Sequence, residues 1–88
     1  MVKPQFEVGK ERLGSGGVVR DPELRISAVM DVVAAATALG LRLHGVIASP
    51  LPGPSGNVEY FLWLREGEAL PPESAAELVR VAVVEGPQ

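Results

Sequence analysis

Few side chains in this 88-residue sequence could do chemistry. Lys3 offers an amine that is a base when neutral and a donor when charged. Glu59 offers a carboxylate that can orient such an amine by a charge-assisted hydrogen bond. Other candidates are sparse. With no cysteine and one histidine, His44, the sequence excludes disulfides, thiolate sites and the usual zinc ligand sets. His44 has no partner for a triad and reads as structural. Ser49 and Ser55 have no nearby base and read as loop residues.

Charge adds a second candidate group. The net charge is −3, which does not suggest a free-standing nucleic-acid binder. It is unevenly spread. Residues 1–20 hold Lys3, Lys10, Arg12 and Arg20 against Glu7 and Glu11, while the remainder holds nine acids against four arginines. Lys10, Arg12 and Arg20 are therefore the candidate contacts to a polyanion. Gly14, Gly16 and Gly17 could form an anion-binding nest, although a plain loop needs the same glycines.

The elements that must position these groups follow from patterning. Residues 2–8 read as a short strand, with Val2, Phe6 and Val8 alternating, although Pro4 cannot donate to a ladder. Residues 9–20 read as a glycine-rich loop. Asp21 and Pro22 then begin a helix over 21–40, capped by the aspartate and closed by Gly40. Its apolar stripe runs through Leu24, Ala28, Val32, Ala35 and Leu39, flanked by Val29, Val33 and Ala36. Residues 41–48 read as a strand, 49–57 as a Pro/Gly loop, and 58–65 as the strongest strand, with Phe61 and Trp63 as core residues. Residues 74–85 read as a second helix, opened by a Ser74–Glu77 capping box and stopped by Gly86-Pro87, despite the strand-like alternation of Val79, Val81 and Val83.

The order strand–helix–strand–strand–helix is α/β. The first two strands should be parallel through a right-handed crossover. The third returns antiparallel, either outside the second or between the other two. The apolar character of residues 58–64 favours the middle position. There, the end of the first strand at Lys3 and the start of the last at Glu59 share one rim, where open α/β sheets bind ligands.

The stretches Lys3-Pro4-Gln5-Phe6-Glu7, Gly16-Gly17-Val18-Val19-Arg20-Asp21-Pro22 and above all Ser49-Pro50-Leu51-Pro52-Gly53-Pro54-Ser55-Gly56-Asn57-Val58-Glu59-Tyr60 resemble the C-terminal third of the TlyA (hemolysin A) family. These are FtsJ-like, S-adenosylmethionine-dependent RNA 2′-O-ribose methyltransferases. The resemblance implies a Rossmann-like methyltransferase fold whose last antiparallel strand is inserted between the other two of this portion. It also implies a Lys-Asp-Lys-Glu active site, with Lys3 matching the second lysine and Glu59 the glutamate. Residues 1–88 would then be the C-terminal part of the methyltransferase domain. The S4-like RNA-binding domain, the S-adenosylmethionine-binding half, and the tetrad's first lysine and aspartate have no counterpart in them.

Several expectations follow. The segment alone is inactive, the cofactor S-adenosylmethionine binds through the half not represented, and the partner is ribosomal RNA or a ribosomal subunit. No apolar run is long enough to span a membrane and no signal core is present, so a cytoplasmic location with no membrane partner is the default. The competing expectation is a small, non-catalytic α/β interaction module that self-associates through an uncovered sheet edge.

Overall fold

Asp21 starts the first helix as its side chain suggests: the Glu23 N–H donates to Asp21 Oδ1 at 2.9 Å, satisfying one of the orphan donors of the first turn. The computed structural model describes residues 1–4, 21–51 and 57–87. Helix α1 runs Pro22–Ala38, strand β1 Leu41–Ala48, strand β2 Tyr60–Glu66 and helix α2 Pro72–Glu85. Between α1 and β1, Gly40 has φ +84°, a left-handed conformation that glycine adopts without penalty.

β1 and β2 pair antiparallel from Leu41 opposite Glu66 to Ala48 opposite Tyr60. The ladder is interrupted between Leu43 and Gly45, where His44 is the extra residue of a bulge. On the other side of β2, Val2 pairs antiparallel with Tyr60. Tyr60 uses both its N–H and its C=O on Val2, at 2.9 and 2.6 Å, whereas the Glu59 carbonyl accepts from the Ser49 N–H at 2.8 Å. Backbone groups of successive strand residues point to opposite sides. Tyr60 therefore lies between Val2 and Ala48, as the middle position requires.

The core lies on one face of this sheet. Val29 and Val33 of α1 and Ala75, Val79 and Val83 of α2 join Val2, Leu43, Val58 and Tyr60 in one buried cluster, with Leu62 and Leu64 packed against it. Val79 and Val83 are four apart and share one helix face, so their burial follows helical rather than strand spacing.

Four expectations need correction. Of the strand expected over residues 2–8, residues 5–8 lie outside the described residues; among the described ones it is a single bridge at Val2, and Pro4 is already helical. Proline lacks the N–H a ladder needs but suits the start of a helix. Phe61 and Trp63 are not core residues. They are 47% and 61% exposed, because both helices cover the face carrying Tyr60, Leu62 and Leu64. The buried face of α1 is Arg25, Val29, Val33 and Ala36 with Ala28, while Leu39 is exposed. The helix is therefore rotated from the stripe through Leu24, Val32 and Ala35. Finally, α2 starts at Pro72 with no side-chain cap, and Glu77 pairs with Arg80 instead of closing a box with Ser74.

Candidate functional site

Lys3 and Glu59 meet because of a register. Where Val2 and Tyr60 exchange two hydrogen bonds across an antiparallel pair, the next residue on one side faces the preceding residue on the other. Lys3 is thereby set opposite Glu59. Directly opposed side chains of such a pair have Cβ atoms about 4.5–5.5 Å apart, within easy reach of a charged contact. Lys3 Nζ lies 3.9 Å from Glu59 Oε2. That is an ion pair, longer than a hydrogen bond.

The two partners differ in exposure. The Lys3 side chain is 38% exposed and the Glu59 side chain 9%. Glu59 Oε2 is buried and accepts no hydrogen bond from the described residues. A buried carboxylate oxygen without a donor costs free energy, and a ligand group that donates to it recovers that cost. The pair thus presents a solvent-reachable amine backed by a buried acceptor, an arrangement that can orient a hydroxyl group.

The backbone of Glu59 is fixed from both sides. Val2 holds Tyr60, and the Ser49 N–H holds the Glu59 carbonyl. Ser49 is itself closed on Leu51: its Oγ accepts from the Leu51 N–H at 3.2 Å and donates to the Leu51 carbonyl at 3.1 Å. Ser49 lies in the loop just after β1, as the sequence reading placed it, but its burial there was not foreseen. A serine before proline after a strand is a turn signal that could have identified it. Asn57, two residues before Glu59, is also buried.

Arg25 was missed altogether. It is 2% exposed, lies beside the fully buried Tyr60, and donates from Nη1 to the Pro87 carbonyl at 3.3 Å. Burial pushes the Tyr60 phenol above its ordinary pKa, and the Arg25 guanidinium opposes that rise. The signal for Arg25 was its spacing, since 25, 29, 33 and 36 form one helical stripe.

His44 projects from the bulge and is exposed, its ring meeting Trp63 edge to face at 4.2 Å between centroids. Lys10, Arg12, Arg20, the Gly14–Gly17 segment and Ser55 lie outside the described residues. An open hollow of about 1070 Å³ runs between β1 and α2 and is not lined by Lys3 or Glu59. No helix among the described residues is long and apolar enough to cross a membrane.

Comparison with known proteins places this geometry. The family model of FtsJ-like methyltransferases matches residues 1–66. The 16S/23S rRNA (cytidine-2′-O)-methyltransferase TlyA of Mycobacterium tuberculosis is 56% identical over 99% of this chain, which corresponds to 33% of that protein. The 23S rRNA (cytidine-2′-O)-methyltransferase TlyA of Campylobacter jejuni is 41% identical over 72% of this chain and 25% of its own length. A solved structure from Lactococcus lactis, described as a hemolysin, superposes with a TM-score of 0.79 at 30% identity over 96% of this chain and 39% of its own. The chain thus spans about a third or less of the curated relatives named here.

Proposed function

This chain belongs to the FtsJ-like methyltransferase family, and we propose that it supplies the Lys3–Glu59 side of the active site of an S-adenosylmethionine-dependent rRNA 2′-O-ribose methyltransferase. The observation that carries this reading is the 3.9 Å approach of Lys3 Nζ to a Glu59 carboxylate whose facing oxygen has no donor among the described residues. The fold supports it: a small α/β unit with the returning strand next to Val2 is compatible with the end of a Rossmann-like sheet.

The chemistry of the pair indicates which reactant it serves. S-adenosylmethionine, when bound, supplies an electrophilic methyl group on a positively charged sulfur. A lysine ammonium does not suit a cationic sulfonium. It does suit the acceptor, a ribose 2′-hydroxyl, which also distinguishes RNA from DNA. On this reading the methyl donor is held by the part of the relatives' length that this chain does not span.

This chain's residues handle the hydroxyl. Lys3 Nζ has two available roles. As a neutral amine it accepts the hydroxyl proton; as an ammonium it donates to the 2′-oxygen and steers it. Glu59 fixes the amine in either case. Much of the acceleration comes from placement, since preorganised geometry supplies on the order of 7–11 kcal/mol. Lys10, Arg12 and Arg20 are assigned to RNA phosphates on charge alone. The compartment this reading requires is the cytoplasm, where ribosomal RNA is found.

The test is a chimera in which this chain replaces the matching third of M. tuberculosis TlyA. The expected result is methyl transfer to ribosomal RNA that is lost in both Lys3→Ala and Glu59→Ala. Undiminished transfer in both variants overturns the site assignment.

A further inference from the structure

We propose that the outer edge of β1 and the adjoining flank of α2 form a docking groove for an extended, basic segment of a partner protein, which adds to the sheet as a strand beside β1. This does not depend on the methyl-transfer reading.

Three observations carry it. First, β1 is a terminal strand of the described sheet: β2 lies on one side of it and no described residue pairs with the other. An edge strand presents a row of backbone N–H and C=O groups that an extended chain can complete. Second, the open hollow of about 1070 Å³ lies along that edge. Leu43, Val46 and Ala48 of β1 form one wall and Leu78, Val81 and Ala82 of α2 the other. Alternate side chains of an added strand would point into this apolar trough, as strand addition requires. The trough narrows where Gly86 passes Ala48: a Cβ on Gly86 would sit 2.7 Å from the Ala48 Cβ. β1 is eight residues long, which sets the length of segment it can pair.

Third, charge selects the occupant. The α2 rim of the trough carries Glu73, Glu77 and Glu85, all exposed, against Arg42 on the β1 side. Arg80 takes up Glu77 from outside the trough and attracts Glu85 more weakly, so three carboxylates face one guanidinium and the rim stays negative toward an incoming segment. An added strand with apolar residues facing the trough and lysine or arginine at its margins matches this rim. A second copy of the chain does not, because it would bring an identical acidic rim on a molecule of net charge −3.

The experiment measures fluorescence anisotropy of labelled peptides with the intact 88-residue chain. The probes are peptides the length of β1 that alternate valine with lysine or arginine, a matched set with glutamate, and the basic set with alternate amides N-methylated. The basic peptide is expected to bind at least about tenfold tighter than the acidic one. Binding should weaken with salt and be lost on N-methylation, because the backbone carries the contact. Both rim positions are exposed, so the double variant Glu73→Lys with Glu85→Lys should retain the wild-type circular dichroism and reverse the peptide preference. Equal binding of basic and acidic peptides, an unchanged preference in the double variant, or no binding overturns the proposal. So does a concentration-dependent dimer, seen by sedimentation, that excludes the peptides.

Discussion

Val2 and Tyr60 exchange a pair of backbone hydrogen bonds at 2.6 and 2.9 Å, and that exchange is what brings the amine of Lys3 to the carboxylate of Glu59. The ion pair results from strand registration, so it is disrupted by anything that shifts the first residues against β2 by one position.

Replacing either member of the pair should therefore abolish a chemical step and leave the fold intact. In the chimera with the M. tuberculosis relative, Lys3→Ala and Glu59→Ala should each lower single-turnover methyl transfer by at least about tenfold, or about 1.4 kcal/mol. Unchanged thermal melting of both variants would confirm that the loss is not unfolding.

Alone, the chain should be silent. Calorimetric titration with S-adenosylmethionine should give no heat of binding, and labelled methyl groups should not pass to ribosomal RNA. Measurable transfer by the purified chain would mean that these 88 residues suffice for a reaction assigned here to a larger protein.

Tyr60 should impose a limit on stability at high pH. Its raised pKa means that the folded state resists ionisation while the unfolded chain ionises from about pH 10. The contribution is complete below that value and is lost as pH rises towards the higher folded-state pKa. Urea midpoints should fall above about pH 10 in the wild type, and less steeply in Tyr60→Phe.

The one-sided core gives two substitutions of opposite outcome. Leu43 is buried in the cluster, so Leu43→Ala should cost about 2–5 kcal/mol, a large share of a small domain's stability. Trp63 is exposed, so Trp63→Gln should cost less than about 1 kcal/mol, mainly through its cross-strand contacts. Denaturant titration measures both. Acrylamide should quench Trp63 fluorescence in the folded chain.

What was legible in the sequence was local. Asp21, Pro22 and Gly40 bounded α1 because caps and left-handed turns depend on a few adjacent residues. Leu41–Ala48 was read to the residue, and the return of the last strand beside Val2 followed from chain economy and apolar content. Lys3 and Glu59 were singled out on topology and resemblance, and the register accounts for their proximity. What was not legible was sidedness. Phe61 and Trp63 look like core residues in an apolar strand, yet which face is covered depends on where both helices land. Arg25 was not singled out, because a buried guanidinium is rare and its partners Tyr60 and Pro87 are far away in sequence. Ser74 and Glu77 had the capping spacing, but Pro72 began the helix earlier and Arg80 took the glutamate.

The extra residue at His44 resets the phase of β1. Before it Leu43 faces inward; beyond it Val46 and Ala48 do so, while Ile47 faces water. Without a bulge, the same eight residues in simple alternation would send Ile47 to the helices and Val46 to solvent; deleting the extra residue instead restores alternation with Val46 and Ala48 still inward. A single-codon deletion of His44 should therefore be tolerated about as well as a substitution of the exposed imidazole at the same place.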